Sequence, residues 1–346
     1  MLIFLIVLFF IAVVSLKFCK NDVSSALSRE QTQTIKGFFV VTVFFSHFCT
    51  YVHFDTWYDF AMLEYCDLFG QLMVAPFLFY SGYGIFESVK KKGSGYIKTM
   101  PRRRILKVLL HFDFAVILFW LLDLAIGRSV SLSEFVLSLV AWESIGNSNW
   151  FIFVIICAYT IAFAGLRLFK GRLVNAFVFI TVMSLVYIVV IARFKPCYWF
   201  DTILAFPLGC ALSLFKDKFN VVVSKKFIAL GGGVLSFLVF FLLKSGYIPS
   251  TFVNGQIALF AFSFFVVFFS LNVRVSSKIL TWFGAYVFEL YILQRIPMNY
   301  FAYLNLNEAN IYVFFVLSFV FTVVLSILFS KWNKFFDSFF LDKAKS

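Results

Sequence analysis

The strongest constraint in this sequence is a succession of roughly eleven apolar stretches, each near the ~20 residues that a helix needs to span a bilayer. They cover 2–18, 35–51, 71–89, 105–126, 150–168, 173–192, 198–215, 227–243, 256–271, 279–296 and 311–329. A further apolar run, 135–142, is too short to span and reads as interfacial or re-entrant. Of the 346 residues, 62% are hydrophobic and 14% charged, whereas soluble domains are nearer half and about a quarter. So few charges cannot cover a water-facing surface of this size, which excludes a soluble enzyme, a disordered regulator and a fibrous protein. The 53 Phe residues suit lipid-facing and helix-packing surfaces. The expected fold is all-α, a polytopic integral membrane helical bundle.

The connections between these stretches alternate in charge. Lys17, Lys20, Arg29 and Lys36 come first, and the next connection holds Asp55, Asp59, Glu64 and Asp67. The densest basic stretch follows, from Lys90, Lys91, Lys92 and Lys98 through Arg102, Arg103, Arg104 and Lys107. Lys170 and Arg172, then Lys216 to Lys226, then Arg274 and Lys278, occupy every second connection after that, and Lys331, Lys334, Lys343 and Lys345 close the chain. The net charge of +13 is therefore read as the cytoplasmic excess of Lys and Arg that sets membrane topology, not as a nucleic-acid surface. That rule predicts an external N-terminus and a cytoplasmic C-terminus, with Arg193, Lys195 and Lys244 as isolated exceptions. The first stretch lacks a basic lead-in and a small-residue cleavage site, so a retained helix is expected rather than a signal peptide. Cys19, Cys49, Cys66, Cys157, Cys197 and Cys210 show no metal-ligand spacing and read as packing residues, so no metal site is expected.

An ionisable residue at membrane depth is costly and so a functional candidate. His47 lies eleven residues beyond Lys36, about three helical turns or roughly 16 Å, on the same face. An imidazole can take a proton from an alcohol near neutral pH, as acyl transfer to a hydroxyl requires. The alternative is an interhelical hydrogen bond from a packed ring. Arg104, Lys107 and His111 share a second face, at i, i+3 and i+7. Such a face can hold phosphates, or serve as a topology signal and headgroup anchor. Asp113 points nearly opposite Arg104 on that helix. Ser81 and Gly82 lie where helices can approach closely. Asn147, Ser148, Asn149 and Trp150 read as a polar cap and aromatic belt. Glu289, Tyr291, Gln294 and Arg295 bring polar groups into a late helix, where Glu289 should have a partner. His53, in the acidic connection, reads as a surface group.

Several of these segments together resemble the acyltransferase-3 family of bacterial integral membrane O-acyltransferases, in the branch that modifies polysaccharides and related glycans. The family opens its first core helix with Arg or Lys, ten residues, then His, as Lys36 and His47 do here. Its Arg-x-x-Arg pair is matched by Arg104 and Lys107, with Lys at the second position and Arg103 alongside. The stretch Phe77 to Tyr83 is similar to its aromatic-Ser-Gly helix, Asn149 to Phe153 to its Trp-Phe motif, and Ala205 to Gly209 to the helix ending near a Gly. Phe283 to Gln294 resembles its Tyr-Leu-x-His stretch, with Gln294 in place of the His.

The resemblance implies a core of about ten helices over 35–336, an added helix and linker at 1–34, and a cytoplasmic tail at 337–346. No fused extracytoplasmic domain is expected. It further implies an acetyl-CoA donor used as a substrate, with no bound cofactor, and a glycan or sugar acceptor in a bacterial plasma membrane. Membrane lipid is the remaining partner, nucleic acid is excluded, and oligomeric state is left open. Under this reading His47 is catalytic, as general base or as acyl acceptor. Lys36, Arg103, Arg104 and Lys107 bind the donor, with Ser81, Trp150, Glu289 and Tyr291 in support. The alternative from another class is a transporter or flippase of a glycan or small anion, although the sequence shows neither an internal repeat nor matched broken helices.

Overall fold

The computed structural model describes residues 1–18, 22–54 and 56–341; Cys19, Lys20, Asp55, Lys343 and Lys345 lie outside the described residues. The chain is an all-α bundle. Among the described residues, six helical runs are long and apolar enough to cross a membrane: Phe60–Ala125, Trp150–Leu168, Leu173–Ile191, Lys226–Lys244, Phe252–Asn272 and Ile311–Phe339. The Arg29–Cys49 helix has spanning length, but Lys36, His47 and its Gln and Thr residues dilute its hydropathy. Its partners explain the exception, because it sits inside the bundle. Gly37 faces the Leu280 carbonyl and Gly284 faces the Gln33 carbonyl so closely that a Cβ at either would stand 1.8 Å from backbone oxygen. The Arg29–Cys49 and Lys278–Ala285 helices can touch at this distance only through glycine. Gly82 and Gly209 join Ala75–Met100 to Ala205–Leu214 in the same way.

Three expected spans are not continuous helices. The first helix stops at Val13, because Ser15 Oγ donates back to the Ile11 carbonyl (2.7 Å) and Leu16–Phe18 pairs antiparallel with Val273–Val275. Its 12 residues reach about 18 Å, short of the hydrocarbon core. The 198–215 stretch forms a helix only over Ala205–Leu214. Continuing it backwards would set the Pro207 ring against the Ile203 carbonyl. Neighbouring side chains take carbonyls in this segment instead, Tyr187 Oη that of Trp199 (2.9 Å) and Gln256 Nε2 that of Asp201 (2.8 Å). The 279–296 stretch breaks into Lys278–Ala285, Val287–Leu293 and Arg295–Tyr303. Pro297 cannot donate to the Leu293 carbonyl, which accounts for the second break.

The basic 90–98 segment, read as a connection, is instead helical. It continues Ala75–Met100 across a bend at Gly93 (φ 55°) and passes into a π turn over Pro101–Leu106. The 135–142 run begins within the amphipathic helix Leu132–Leu139, started by a capping box of Ser131 and Glu134, and leaves it in a turn after Leu139. The Ser131 backbone N–H and hydroxyl hold the Glu134 carboxyl below the usual carboxylate range.

Contacts sort the connections onto two ends of the bundle. Glu30 pairs with Arg274 (2.5 Å), Glu87 with Lys90 (2.9 Å) and Lys216 (3.5 Å), and Asn220 Oδ1 accepts from Val23 N (3.2 Å). This is the basic end. At the opposite, acidic end, Met1 sits against Asp59. Tyr51 Oη donates to Asn299 (2.6 Å) and Asn307 to the Tyr51 carbonyl (2.8 Å). The helices between carry outward rows of apolar side chains, for example Val174, Val178 and Val182, all exposed. Such rows suit lipid contact.

Candidate active site

Two cavities enter the bundle from its two ends. The basic-end cavity, about 540 Å³, is lined by Lys36, Arg103, Arg104 and Lys107, the four residues expected to bind a donor, together with Ser81, Glu289 and Tyr291. The π turn explains how two consecutive arginines reach one cavity. Its widened backbone brings Arg103 to the mouth and turns Arg104 inward, and such turns recur at functional sites. Arg104 lies 5.9 Å from the ring centre of Tyr159, within cation–π range. Tyr159 Oη is hydrogen-bonded to Ser81 Oγ (3.1 Å). Lys36 is an electrostatic neighbour of Arg104, and among the described residues neither forms an ion pair, so two cations converge on the cavity. Phosphate oxygens are suited to that arrangement. The walls beyond them, Phe77, Phe151, Ile152 and Ile155, are apolar.

Lys107 and His111 do share the face with Arg104 that their spacing predicts. Both are engaged by a residue the sequence reading did not single out: Asp337 pairs with Lys107, and Asp337 Oδ1 is 2.9 Å from His111 Nε2. The start of the 337–346 segment is therefore packed onto this face of the basic-end cavity. Glu289 finds its partner in Ser330 and faces Lys334 and Lys107. Asp113 is outside this cavity.

His47 opens into the other cavity. That space, about 660 Å³ at the acidic end, is lined by His47 with Trp150, Ser148, Asn149, Arg295 and Tyr291. The residues read as a cap and belt thus border the candidate catalytic ring. The loop before Trp150 holds its shape through its own bonds. Asn147 Oδ1 accepts from Ile145 N (3.0 Å), Ser144 Oγ donates to the Asn147 carbonyl (2.7 Å), and Asn149 Nδ2 donates to the Ala141 carbonyl (3.0 Å). The loop so fixed presents Ser148 Oγ to His47 Nδ1 at 3.4 Å.

The structure thus separates residues the sequence reading had joined. The donor set and His47 occupy different cavities, and Tyr291 lines both. Its ring centre is 6.1 Å from that of His47 and 5.3 Å from that of Phe151. Tyr291 can stand between the cavities because its short helix, Val287–Leu293, is cut off at both ends from its neighbours in sequence. Among the described residues, no group of three or more His, Cys, Asp or Glu could hold a metal ion.

Comparison with known proteins gives one match. The acyltransferase domain family covers residues 33–331, which includes both cavities' lining residues except Asn333, Lys334 and Asp337. No curated protein and no solved structure matches the chain.

Proposed function

The chain belongs to the acyltransferase-3 family, and from that premise we propose that it moves an acetyl group from acetyl-CoA to a hydroxyl of an envelope or exported glycan. In this reading the protein sits in the bacterial plasma membrane with its basic end in the cytoplasm, as the positive-inside rule predicts. Lys36, Arg103, Arg104 and Lys107 hold the CoA phosphates by charge-assisted hydrogen bonds. The pantetheine arm runs along the apolar wall past Ser81 and Phe151, and the thioester reaches Tyr291. The acceptor occupies the acidic-end cavity.

His47 Nε2 takes the proton of the acceptor hydroxyl as its oxygen attacks the thioester carbonyl. The carbon–sulfur bond breaks, the ester forms, and the CoA sulfur leaves as thiolate and is protonated. Ser148 orients the ring through Nδ1. The observation that carries this reading is the meeting of the two cavities at Tyr291, beside His47. It allows a cytoplasmic donor and an external acceptor to react without either crossing the bundle.

The test is purified protein in lipid nanodiscs with acetyl-labelled acetyl-CoA and glycan from cells lacking the protein. An alkali-labile labelled ester on the glycan is the expected product. Glycan moved across liposome membranes with no covalent change would overturn the reading in favour of transport. Label accumulating on the protein without acceptor would assign the covalent acetyl-histidine route instead of direct transfer.

A further inference from the structure

The acidic-end cavity contains two cations that its role so far does not use. Lys244 ends the Lys226–Lys244 helix, and its ammonium approaches Gly70, 3.9 Å from where a Cβ would stand. Arg295 starts the Arg295–Tyr303 helix with its guanidinium 5.7 Å from the Tyr51 ring centre. Tyr51 is itself fixed by its hydrogen bond to Asn299 (2.6 Å). Arg295 Nε is buried and has no hydrogen-bond acceptor among the described residues.

Neither cation forms an ion pair among the described residues. Their neighbours at this end differ. Lys195 pairs with Glu143 (2.9 Å) and Arg128 with Asp123 (3.8 Å), while Arg193 is exposed outside the cavity. Of the carboxylates nearby, Asp67 lines the cavity and Asp201 is an electrostatic neighbour of Lys244, but neither makes contact with the two cations. The cavity walls alone therefore hold two cations against one carboxylate. Topology does not explain these cations, since Lys and Arg are concentrated at the other end, and neither cation lines the basic-end cavity. In the same cavity Trp150 and Tyr198 stand edge to face, ring centres 5.9 Å apart.

We infer that the acceptor carries an anionic group, a carboxylate or a phosphate, held by Lys244 and Arg295 while Trp150 and Tyr198 take its sugar ring. This rests on the acceptor occupying that cavity, as proposed above. A half-buried guanidinium against an aromatic ring is suited to oxyanion recognition, and Lys244 in the same cavity wall adds a second charge. The clamp selects among hydroxyl-bearing glycans by charge and sets the reacting hydroxyl relative to His47.

The test measures binding, which does not depend on turnover. Glycan from cells lacking the protein is offered to the nanodisc protein untreated, after carboxyl reduction, or after dephosphorylation. Untreated glycan should bind at least about tenfold more tightly than the form stripped of its anion, as expected for charge-assisted bonds. The treatment that causes the loss names the anion. Lys244→Gln and Arg295→Gln should each bring untreated glycan toward the affinity of the neutral form, while Arg193→Gln should not. Equal binding of all three glycans would overturn the clamp, as would a preference that survives Lys244→Gln in folded protein. Anion-selective binding with no labelled ester would support the clamp and overturn the acetyl-transfer reading. Ester formed equally on charged and neutral glycan would do the reverse.

Discussion

Tyr291 and His47 stand with ring centres 6.1 Å apart, and Tyr291 is the side chain that faces both cavities while His47 faces one. In the proposed reaction Tyr291 closes the donor side against water and the acceptor side against the cytoplasm. Replacing it with Ala should merge the two spaces. Transfer to glycan should fall at least about tenfold through lost positioning, while hydrolysis of acetyl-CoA without glycan should rise. Thiol release measured with and without acceptor reads both effects. A Tyr291→Ala protein with unchanged coupling would show that Tyr291 is not the partition.

In the proposed reaction Ser148 acts through the ring it orients. Ser148→Ala removes the contact to His47 Nδ1 and should lower kcat by about tenfold, the value of one modest hydrogen bond. KM for acetyl-CoA should stay put, because Ser148 does not line the donor cavity. Steady-state kinetics over both substrates separate the two parameters. A change confined to the acetyl-CoA KM would contradict the assignment.

Arg104 and Asp337 should move donor affinity in opposite directions. Arg104→Ala removes a cation aimed into the basic-end cavity and should raise the acetyl-CoA KM at least about tenfold, with Arg104→Lys recovering part of the loss. Asp337 occupies Lys107, so Asp337→Asn should free that cation and lower the KM roughly two- to fivefold, the scale of one partly exposed ion pair. Titration with acetyl-CoA at fixed acceptor checks both. A higher KM in Asp337→Asn would show that Asp337 supports the site.

The proposed orientation has its own reporter. Cys197 is exposed at the acidic end, beside the Lys195–Glu143 pair. In a variant with the other five cysteines replaced by Ser, a maleimide that cannot cross membranes should label Cys197 in intact cells, and Cys197→Ser in that background should abolish the signal. Labelling of Cys197 only after lysis would place the acidic end in the cytoplasm and reverse the proposed topology.

Much of the bundle was legible from apolar length because lipid demands it. The expected 150–168 stretch coincides with the observed Trp150–Leu168 helix. Helix breaks were harder to read. The 279–296 run is mostly apolar apart from Glu289, Gln294 and Arg295, yet apolarity reports the surrounding solvent and not the continuity of the backbone. Pro297 was the available signal for its second break. The Arg104, Lys107 and His111 face followed from helical periodicity, a local property, and all three line one cavity. Asp337 and Ser148 were not legible as site residues, since each meets its histidine only through tertiary folding. Nor does spacing along the Arg29–Cys49 helix show that Lys36 and His47 would face different cavities. That separation is set by where Val287–Leu293 inserts Tyr291.

In the proposed reaction His47 carries the acyl-transfer chemistry. The most direct measurement follows labelled acetyl from acetyl-CoA to glycan with the wild-type protein and with His47→Ala, each in nanodiscs and each shown to be folded by its thermal unfolding. Labelled ester is expected with the wild type and none above background with His47→Ala, while the acetyl-CoA affinity of the variant is unchanged. Ester formation by the folded His47→Ala protein at a rate near that of the wild type would contradict that role.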